Sequence, residues 1–223
     1  MKIDFHAHIL PGADHGSKDT TQSLEMLAKA EAAGVELIVA TPHFYPAKDT
    51  PEAFLLRRKN CMEELRKVYP KEQGIIIRTG AEVHICAGLE HMEHLKELCI
   101  EGTNVMLLEM PFHTWSDELY DTVMELQKRG FELVLAHIER YPYKDVEELL
   151  DAGIKAQINA HLVCNMFKRG KYLKLIEKGQ VWAMGSDAHY PGQQYEEYKK
   201  AFHILKEKQE QMMERMEKLL QSV

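Results

Sequence analysis

The chain has 223 residues, with 35 Asp and Glu against 28 Lys and Arg and a formal net charge of −7. That length suits one large domain with a substantial core, and the acidic balance excludes a broad, sequence-independent grip on nucleic acid. Four cysteines, Cys61, Cys86, Cys99 and Cys164, stand far apart with no C-x-x-C pair, which argues against a zinc knuckle or a disulfide framework and fits reduced thiols in a cytoplasmic protein.

Short apolar runs alternate with helical patterns along the chain. KIDFHAHI forms the first predicted strand, over 2–9, and sets His6 and His8 at i and i+2, where an extended backbone points both imidazoles to one face. A polar strand face is the plain explanation of such a pair. A metal is the other, because neutral imidazole is the commonest metal ligand. TTQSLEMLAKAEAAG then lines Leu24, Leu27 and Ala28 along one helical side and stops at Gly34. A strand over 36–43 ends at His43, and Thr50 with Pro51 opens a helix as N-cap and first turn. The strand predicted over 75–84 carries Glu82, and that over 105–111 carries Glu109. A helix starts at Ser116 or Asp117 and stops at Gly130, with Lys128 and Arg129 in its last turn, where cations suit the helix dipole. Strands over 132–139, 155–163 and 181–189 follow, carrying His137, then Asn159 and His161, then Asp187 and His189. Such nearly continuous aliphatic runs are strands covered on both faces. The charged segment over 193–222 repeats Tyr198, Phe202, Leu205, Met213, Met216 and Leu220 at helical intervals. It is predicted to be one long C-terminal helix packed on the body, a dimer contact being the alternative.

About seven strand and helix units imply a mostly parallel sheet and, within one domain over 1–223, favour a small or incomplete α/β barrel over an open doubly wound sheet. No Gly-x-Gly-x-x-Gly or Walker sequence marks a nucleotide site. No secretory leader is expected, and no stretch approaches the apolar length of a membrane span, so the expectation is a soluble, cytoplasmic protein.

His6, His8, His43, Glu82, Glu109, His137, Asp187 and His189 all fall at the carboxyl ends of predicted strands, while His91, His94 and His203 do not. In an α/β barrel those ends share the face on which active sites are built. His15, in ADHG, reaches toward the same mouth from the first loop. A carboxylate ending a buried strand, as Glu82 and Glu109 do, is costly unless a cation neutralises it. One catalytic metal uses about three protein ligands and an open position, so these candidates imply two or three ions bridged by a shared carboxylate. Clustered ions generate hydroxide at neutral pH and stabilise the entering and departing oxygens of an in-line displacement at phosphorus. A phosphate ester is therefore the expected substrate class, with amide or lactone hydrolysis second. Zinc, manganese and iron all suit mixed imidazole and carboxylate ligands. Arg140, just past His137, is placed to grip phosphate through parallel hydrogen bonds, an ion pair with Glu139 being the alternative. Asn159 and His161 read as supporting residues. No cysteine has an arginine at the spacing that thiolate phosphatases use; Cys164 comes nearest, with Arg169 one position too early.

Taken in order, H-x-H, the His after the second strand, Glu, Glu, H-I-E-R-Y and S-D-A-H resemble the PHP (polymerase and histidinol phosphatase) superfamily, and most of all the bacterial protein-tyrosine phosphatases of capsule and exopolysaccharide operons. IDFHAHILPGADHGSKD and AHIERY are its most specific motifs, and the likeness runs to about residue 190. The resemblance implies a distorted seven-stranded TIM-like barrel with three divalent metal ions per chain, manganese foremost and zinc or iron as alternatives. It assigns His6, His8, Glu82 and Asp187 to one ion, His15, His43 and His189 to a second, and Glu109 and His137 to a third, with Glu82 bridging. It implies phosphotyrosine hydrolysis by a metal-bridging hydroxide, with Arg140 binding the phosphate and Asp187 or His43 supplying a proton. The implied partner is a tyrosine-phosphorylated protein, a bacterial tyrosine kinase that controls polysaccharide export. Two positions depart from those phosphatases: His15 stands where they often carry Asp, and Gln193 and Gln194 stand where they tend to carry Arg. A small-molecule phosphatase of the histidinol-phosphatase type and a catalytically silent metal-binding regulatory domain are the alternative readings.

Overall fold

The computed structural model describes residues 1–70 and 74–222. Its strands are β1 (Ile3–Ala7), β2 (Leu37–Ala40), β3 (His43–Phe44), β4 (Ile76–Thr79), β5 (Glu82–His84), β6 (Val105–Glu109), β7 (Glu132–Leu135), β8 (Lys155–Asn159) and β9 (Val181–Gly185). Helices α1 (Thr20–Ala32), α2 (Pro51–Val68), α3 (Leu95–Leu98), α4 (Asp117–Lys128), α5 (Tyr143–Asp151), α6 (Ala160–Cys164), α7 (Arg169–Glu177), α8 (Gln194–Leu205) and α9 (Lys208–Leu219) return between them or close the chain. Local chemistry accounts for the helix starts. Asp19 caps α1 by accepting the Gln22 N–H, and Thr50 accepts the Ala53 N–H above a Pro51 whose missing N–H costs nothing in the first turn. Met26, Leu27 and Ala30 are the apolar side that α1 buries.

All pairings are parallel, and they form two sheets, β1-β2-β4 and β3-β5-β6-β7-β8-β9. The ladders therefore do not close into the continuous seven-stranded barrel expected above. The second predicted strand divides into β2 and β3 at Thr41-Pro42, where Pro42 has no N–H to give a ladder. The third divides into β4 and β5 at Gly80-Ala81. Both breaks fall at one level, with Gly80 N–H bonded to the Ala40 carbonyl at 2.8 Å and Glu82 N–H to the Pro42 carbonyl at 3.1 Å, so His43 and Glu82 emerge as register partners. Between β1 and the residues after β9 runs an isolated bridge, Ala7 to Ala188, flanked by Asp187 N–H to His6 O (2.8 Å) and His8 N–H to Ala188 O (2.9 Å). The buried Asp4 carboxylate reinforces that seam by accepting the Ser186 N–H (2.8 Å) and hydroxyl (2.6 Å), while burial pushes its carboxyl up to about 6.

Two further expectations are corrected. The strand predicted over 155–163 stops at Asn159, because the Asn159 N–H goes to Glu139 Oε1 (3.2 Å) and its side-chain amide to Asp187 (3.0 Å), and α6 follows. The single helix predicted over 193–222 is two, broken at Lys206, whose φ of 48° takes the chain out of the helix. A straight helix of that length would run about 45 Å, well past the roughly 30 Å width of a small domain. The break lets α8 bury Tyr198 and Phe202 and lets α9 bury Met212, Met216 and Leu219. No helix among the described residues is long and apolar enough to cross a membrane.

Candidate metal centre

The carboxyl ends of the strands deliver eight of the nine predicted donors to one place. Two glycines permit the approach. A Cβ on Gly185, in β9, would lie 2.6 Å from His6 Cβ, and one on Gly16, in the first loop, would lie 2.4 Å from His8 Cβ. Neither contact is attainable for a larger residue without moving a donor strand.

Glu82 is the hub. Its Oε2 lies 3.1 Å from His6 Nε2, 3.3 Å from His8 Nε2 and 3.0 Å from His43 Nδ1, and its Oε1 lies 2.6 Å from His137 Nε2. Each of three histidines is oriented from behind. His6 Nδ1 faces Gln157 Oε1 (3.3 Å), His8 Nδ1 faces Asp14 Oδ2 (2.7 Å), and His137 Nδ1 faces the Tyr141 hydroxyl (3.1 Å). With protons held on those Nδ1 atoms, the Nε2 lone pairs of His6 and His8 meet 3.1 Å apart, next to a carboxylate and fully buried. Lone pairs gathered in this way repel unless a cation sits among them. Two more buried atoms are orphaned: Asp187 Oδ1 has no hydrogen-bond partner, and His43 Nδ1, although close to Glu82, makes no hydrogen bond in that geometry.

Among the described residues, four interlocking sets have ligand atoms near enough to share an ion: His8, His43 and His189; His6, His8 and Asp187; His6, Glu82 and His137; His43, Glu82 and Glu109. Eight of the nine predicted donors thus fall into overlapping sets of imidazole and carboxylate, a donor mixture suited to zinc, manganese or iron. The ninth, His15, belongs to none of the sets. It is exposed at the rim, its ring stacked 4.7 Å from both His43 and His189. A surface cavity of about 330 Å³ opens there, lined by Asp14, His15, His43, Tyr45, Lys48 and Arg57 among others.

The charges follow from this crowding. Burial opposes charge on His8, yet the Asp14 carboxylate at Nδ1 and the nearby Asp187 and Glu82 carboxylates prevail and hold its pKa well above the ordinary histidine range. Burial likewise opposes ionisation of Glu82, and the facing His6, His137 and His43 overcome it, keeping the carboxyl well below its usual range. Burial and the neighbouring His8 instead push His189 down to about 4.

Arg140 leaves a short 3₁₀ turn, Ile138–Arg140, with 39 % of its side chain exposed, and pairs with Asp187. The alternative pair with Glu139 does not form among the described contacts; the Glu139 carboxyl accepts the Asn159 N–H instead, and burial pushes it up to about 7. Gln193 lines a different pocket, with Lys2, Phe202 and His203, near the amino end of β1. No thiol belongs to the candidate donor sets among the described residues: burial raises all four, Cys99 to about 12, and Cys164 Sγ faces the Glu197 carbonyl. Asp14, His84, Tyr141 and Gln157, which orient donors, were not singled out from sequence. Gln157 and Asn159 did carry a usable signal, the same i, i+2 spacing as His6 and His8.

A parallel α/β scaffold that gathers shared imidazole and carboxylate donors at its strand ends presents a candidate metal site. The chain belongs to the capsular polysaccharide synthesis family CpsB/CapC, whose sequence model matches residues 2–222. It is 30 % identical to the tyrosine-protein phosphatase YwqE of Bacillus subtilis over 206 residues, covering 84 % of this chain and 77 % of that one. It is 29 % identical to the tyrosine-protein phosphatase CpsB of Streptococcus pneumoniae over 204 residues, covering 84 % of this chain and 82 % of that protein. A crystal structure from work on those two enzymes, described as metal-dependent tyrosine phosphatases, superposes with a TM-score of 0.82 at 24 % identity, over 99 % of this chain and 95 % of the other. The zinc-containing histidinol phosphate phosphatase of Lactococcus lactis shares the fold at a TM-score of 0.58 and 16 % identity, over 93 % of each chain.

Proposed function

We propose that this chain is a metal-dependent phosphomonoesterase that hydrolyses phosphotyrosine in a protein partner, a bacterial tyrosine kinase of capsule or exopolysaccharide synthesis, and that it acts in the cytoplasm as a single domain. The observation that carries the reading is Glu82, one buried carboxylate facing four imidazoles that also belong to neighbouring donor sets. Three divalent ions, manganese foremost, are the cofactor we assign to His6, His8, His15, His43, Glu82, Glu109, His137, Asp187 and His189. We also read the two sheets, joined at Ala7 and Ala188, as one distorted seven-unit barrel whose second and third strands are kinked.

When bound, such ions lower the pKa of water and offset the charge of a phosphoryl group. The chain's own residues do the rest. Arg140 keeps guanidinium donors beyond the one given to Asp187, and a planar fork of that kind grips two phosphoryl oxygens at once. Gln157 and Asp14 keep the His6 and His8 imidazoles in a single tautomer, and Tyr141 holds the orientation of His137. A phenolate leaving group, with a conjugate acid near pKa about 10, needs little protonation. Of the two expected proton donors, Asp187 is held ionised, His6, His8 and Arg140 outweighing its burial, so His43 is the one left to supply what proton is required.

The test strips the protein with chelator, reloads it separately with manganese, zinc or iron, and follows hydrolysis of a phosphotyrosine peptide and of histidinol phosphate. Metal-restored turnover of the peptide, well above that of histidinol phosphate, is expected. No turnover of the peptide by folded, metal-loaded protein would overturn the reading, and a preference for histidinol phosphate would move it to the small-molecule class.

A further inference from the structure

Two large aromatic side chains that the fold leaves in solvent stand in loops following the carboxyl ends of strands, Phe112 (59 % exposed) after β6 and Tyr190 (58 %) after β9, while Phe167 (96 %) lies between α6 and α7. Scattered exposed aromatics are ordinary. Phe112 differs in what lies beneath it. Its ring stacks on Tyr141 at 6.0 Å and 23°, and lies 6.2 Å from the ring of His137. Tyr141 is itself fixed, its hydroxyl accepting the Met110 N–H at 3.0 Å and facing His137 Nδ1, and its ring meeting Trp115 edge-on at 5.5 Å. Trp115 in turn donates its indole N–H to the Pro111 carbonyl at 2.8 Å, bracing the loop that carries Phe112. The exposed phenyl group is thus backed by a packed aromatic stack and set beside one of the imidazoles that face Glu82, with Arg140 in the turn that follows that imidazole.

We propose that Phe112 is a specificity-determining residue, whose open face packs against the aromatic ring of a phosphoryl ester or phosphonate bound at the centre. The inference rests on the phosphotyrosine reading above and gives it a structural reason for preferring aryl over alkyl phosphates. A ring held over the mouth gains contact only when the bound group presents a second apolar surface. Offset or edge-on aromatic pairs contribute beyond their buried area, and a methyl or serine side chain offers no such partner. Such a contact requires that a phosphate gripped by the centre and Arg140 project its ester group toward Phe112, whose ring lies 6.2 Å from that of His137.

The experiment measures, by calorimetry on the manganese-loaded full chain, the affinities of phenylphosphonate and methylphosphonate for the wild type, Phe112→Ala, Phe112→Tyr and Tyr190→Ala. The wild type should prefer phenylphosphonate by about tenfold, a gap matching the size of an aromatic contact plus its burial. Phe112→Ala should erase that preference with methylphosphonate affinity and metal content unchanged. Phe112→Tyr should keep the preference, and Tyr190→Ala, on the same face without that stack, should leave it intact. Equal affinities in the wild type, no binding of either phosphonate, or an equal weakening of both by Phe112→Ala would overturn the proposal. Peptide turnover, followed separately, distinguishes the two ideas: a phenyl preference without phosphotyrosine hydrolysis would sink the phosphatase reading and leave the aryl contact standing. Hydrolysis without the preference would do the reverse.

Discussion

At the amino ends of the strands, Lys155 meets Glu132 at 2.8 Å and the terminal amino group meets Glu217 at 2.8 Å, each pair one-to-one and partly open to solvent. At the carboxyl ends, the same classes of charge are buried and shared: Glu82 faces four imidazoles, and Asp187 faces His6, His8, His189 and Arg140. Water screens the first arrangement, and such pairs contribute roughly 0–1 kcal/mol. It cannot screen the second, where every polar atom needs an explicit partner and several have only one another. Residue type therefore says little about the role of a charge in this protein. Burial and sharing separate surface solvation from a site that needs cations.

Substitutions at the two ends should differ accordingly. The largest effect belongs to the joint replacement His6→Ala with His137→Ala, which removes two of the four imidazoles on Glu82. Phosphate release should drop to background and bound metal, read by elemental analysis, should fall with it. Unchanged activity would erase the distinction between the ends. Next comes removal of the ions. Binding that favours the folded state by about 2.7 kcal/mol at a hundredfold excess over Kd raises the melting temperature of a chain this size by about 5–10 °C, so chelation should lower it by that much in a thermal scan. A smaller effect is expected of Gln157→Ala, which leaves every donor in place and loosens His6. Weakening of metal affinity or turnover by about 10–100-fold is the usual cost of such a change, measurable by competition with a metal-binding dye. Least of all, Glu132→Ala at the amino ends should cost under about 1 kcal/mol in urea unfolding and leave turnover alone.

Much of this contrast was legible in sequence because the donors announce themselves by position. His6 and His8 share a strand face, Asp187 and His189 repeat the spacing, and Glu82 and Glu109 end apolar runs that cannot leave a charge unpaired. The strand breaks were half legible: Pro42 cannot serve inside a ladder, but only the paired register of His43 with Glu82 shows why the interruption falls there. The turn at Lys206 had no signal, since neither Gly nor Pro marks it and the break appears only in the separate apolar faces that α8 and α9 bury. The orienting groups were the least visible. Tyr141 and Asp14 lie inside the AHIERY and ADHG motifs, but each acts through a single hydroxyl or carboxylate whose partner is chosen by tertiary contacts, so the motifs alone assign them no role.

The most direct measurement is metal stoichiometry and phosphotyrosine-peptide turnover on the same samples of wild type and Glu82→Gln, with circular dichroism confirming that both are folded. If Glu82 bridges ions as proposed, the wild type should hold more than one ion per chain, and the variant should lose at least one ion and nearly all turnover. Equal metal content and equal turnover in the two proteins would contradict a centre organised on Glu82.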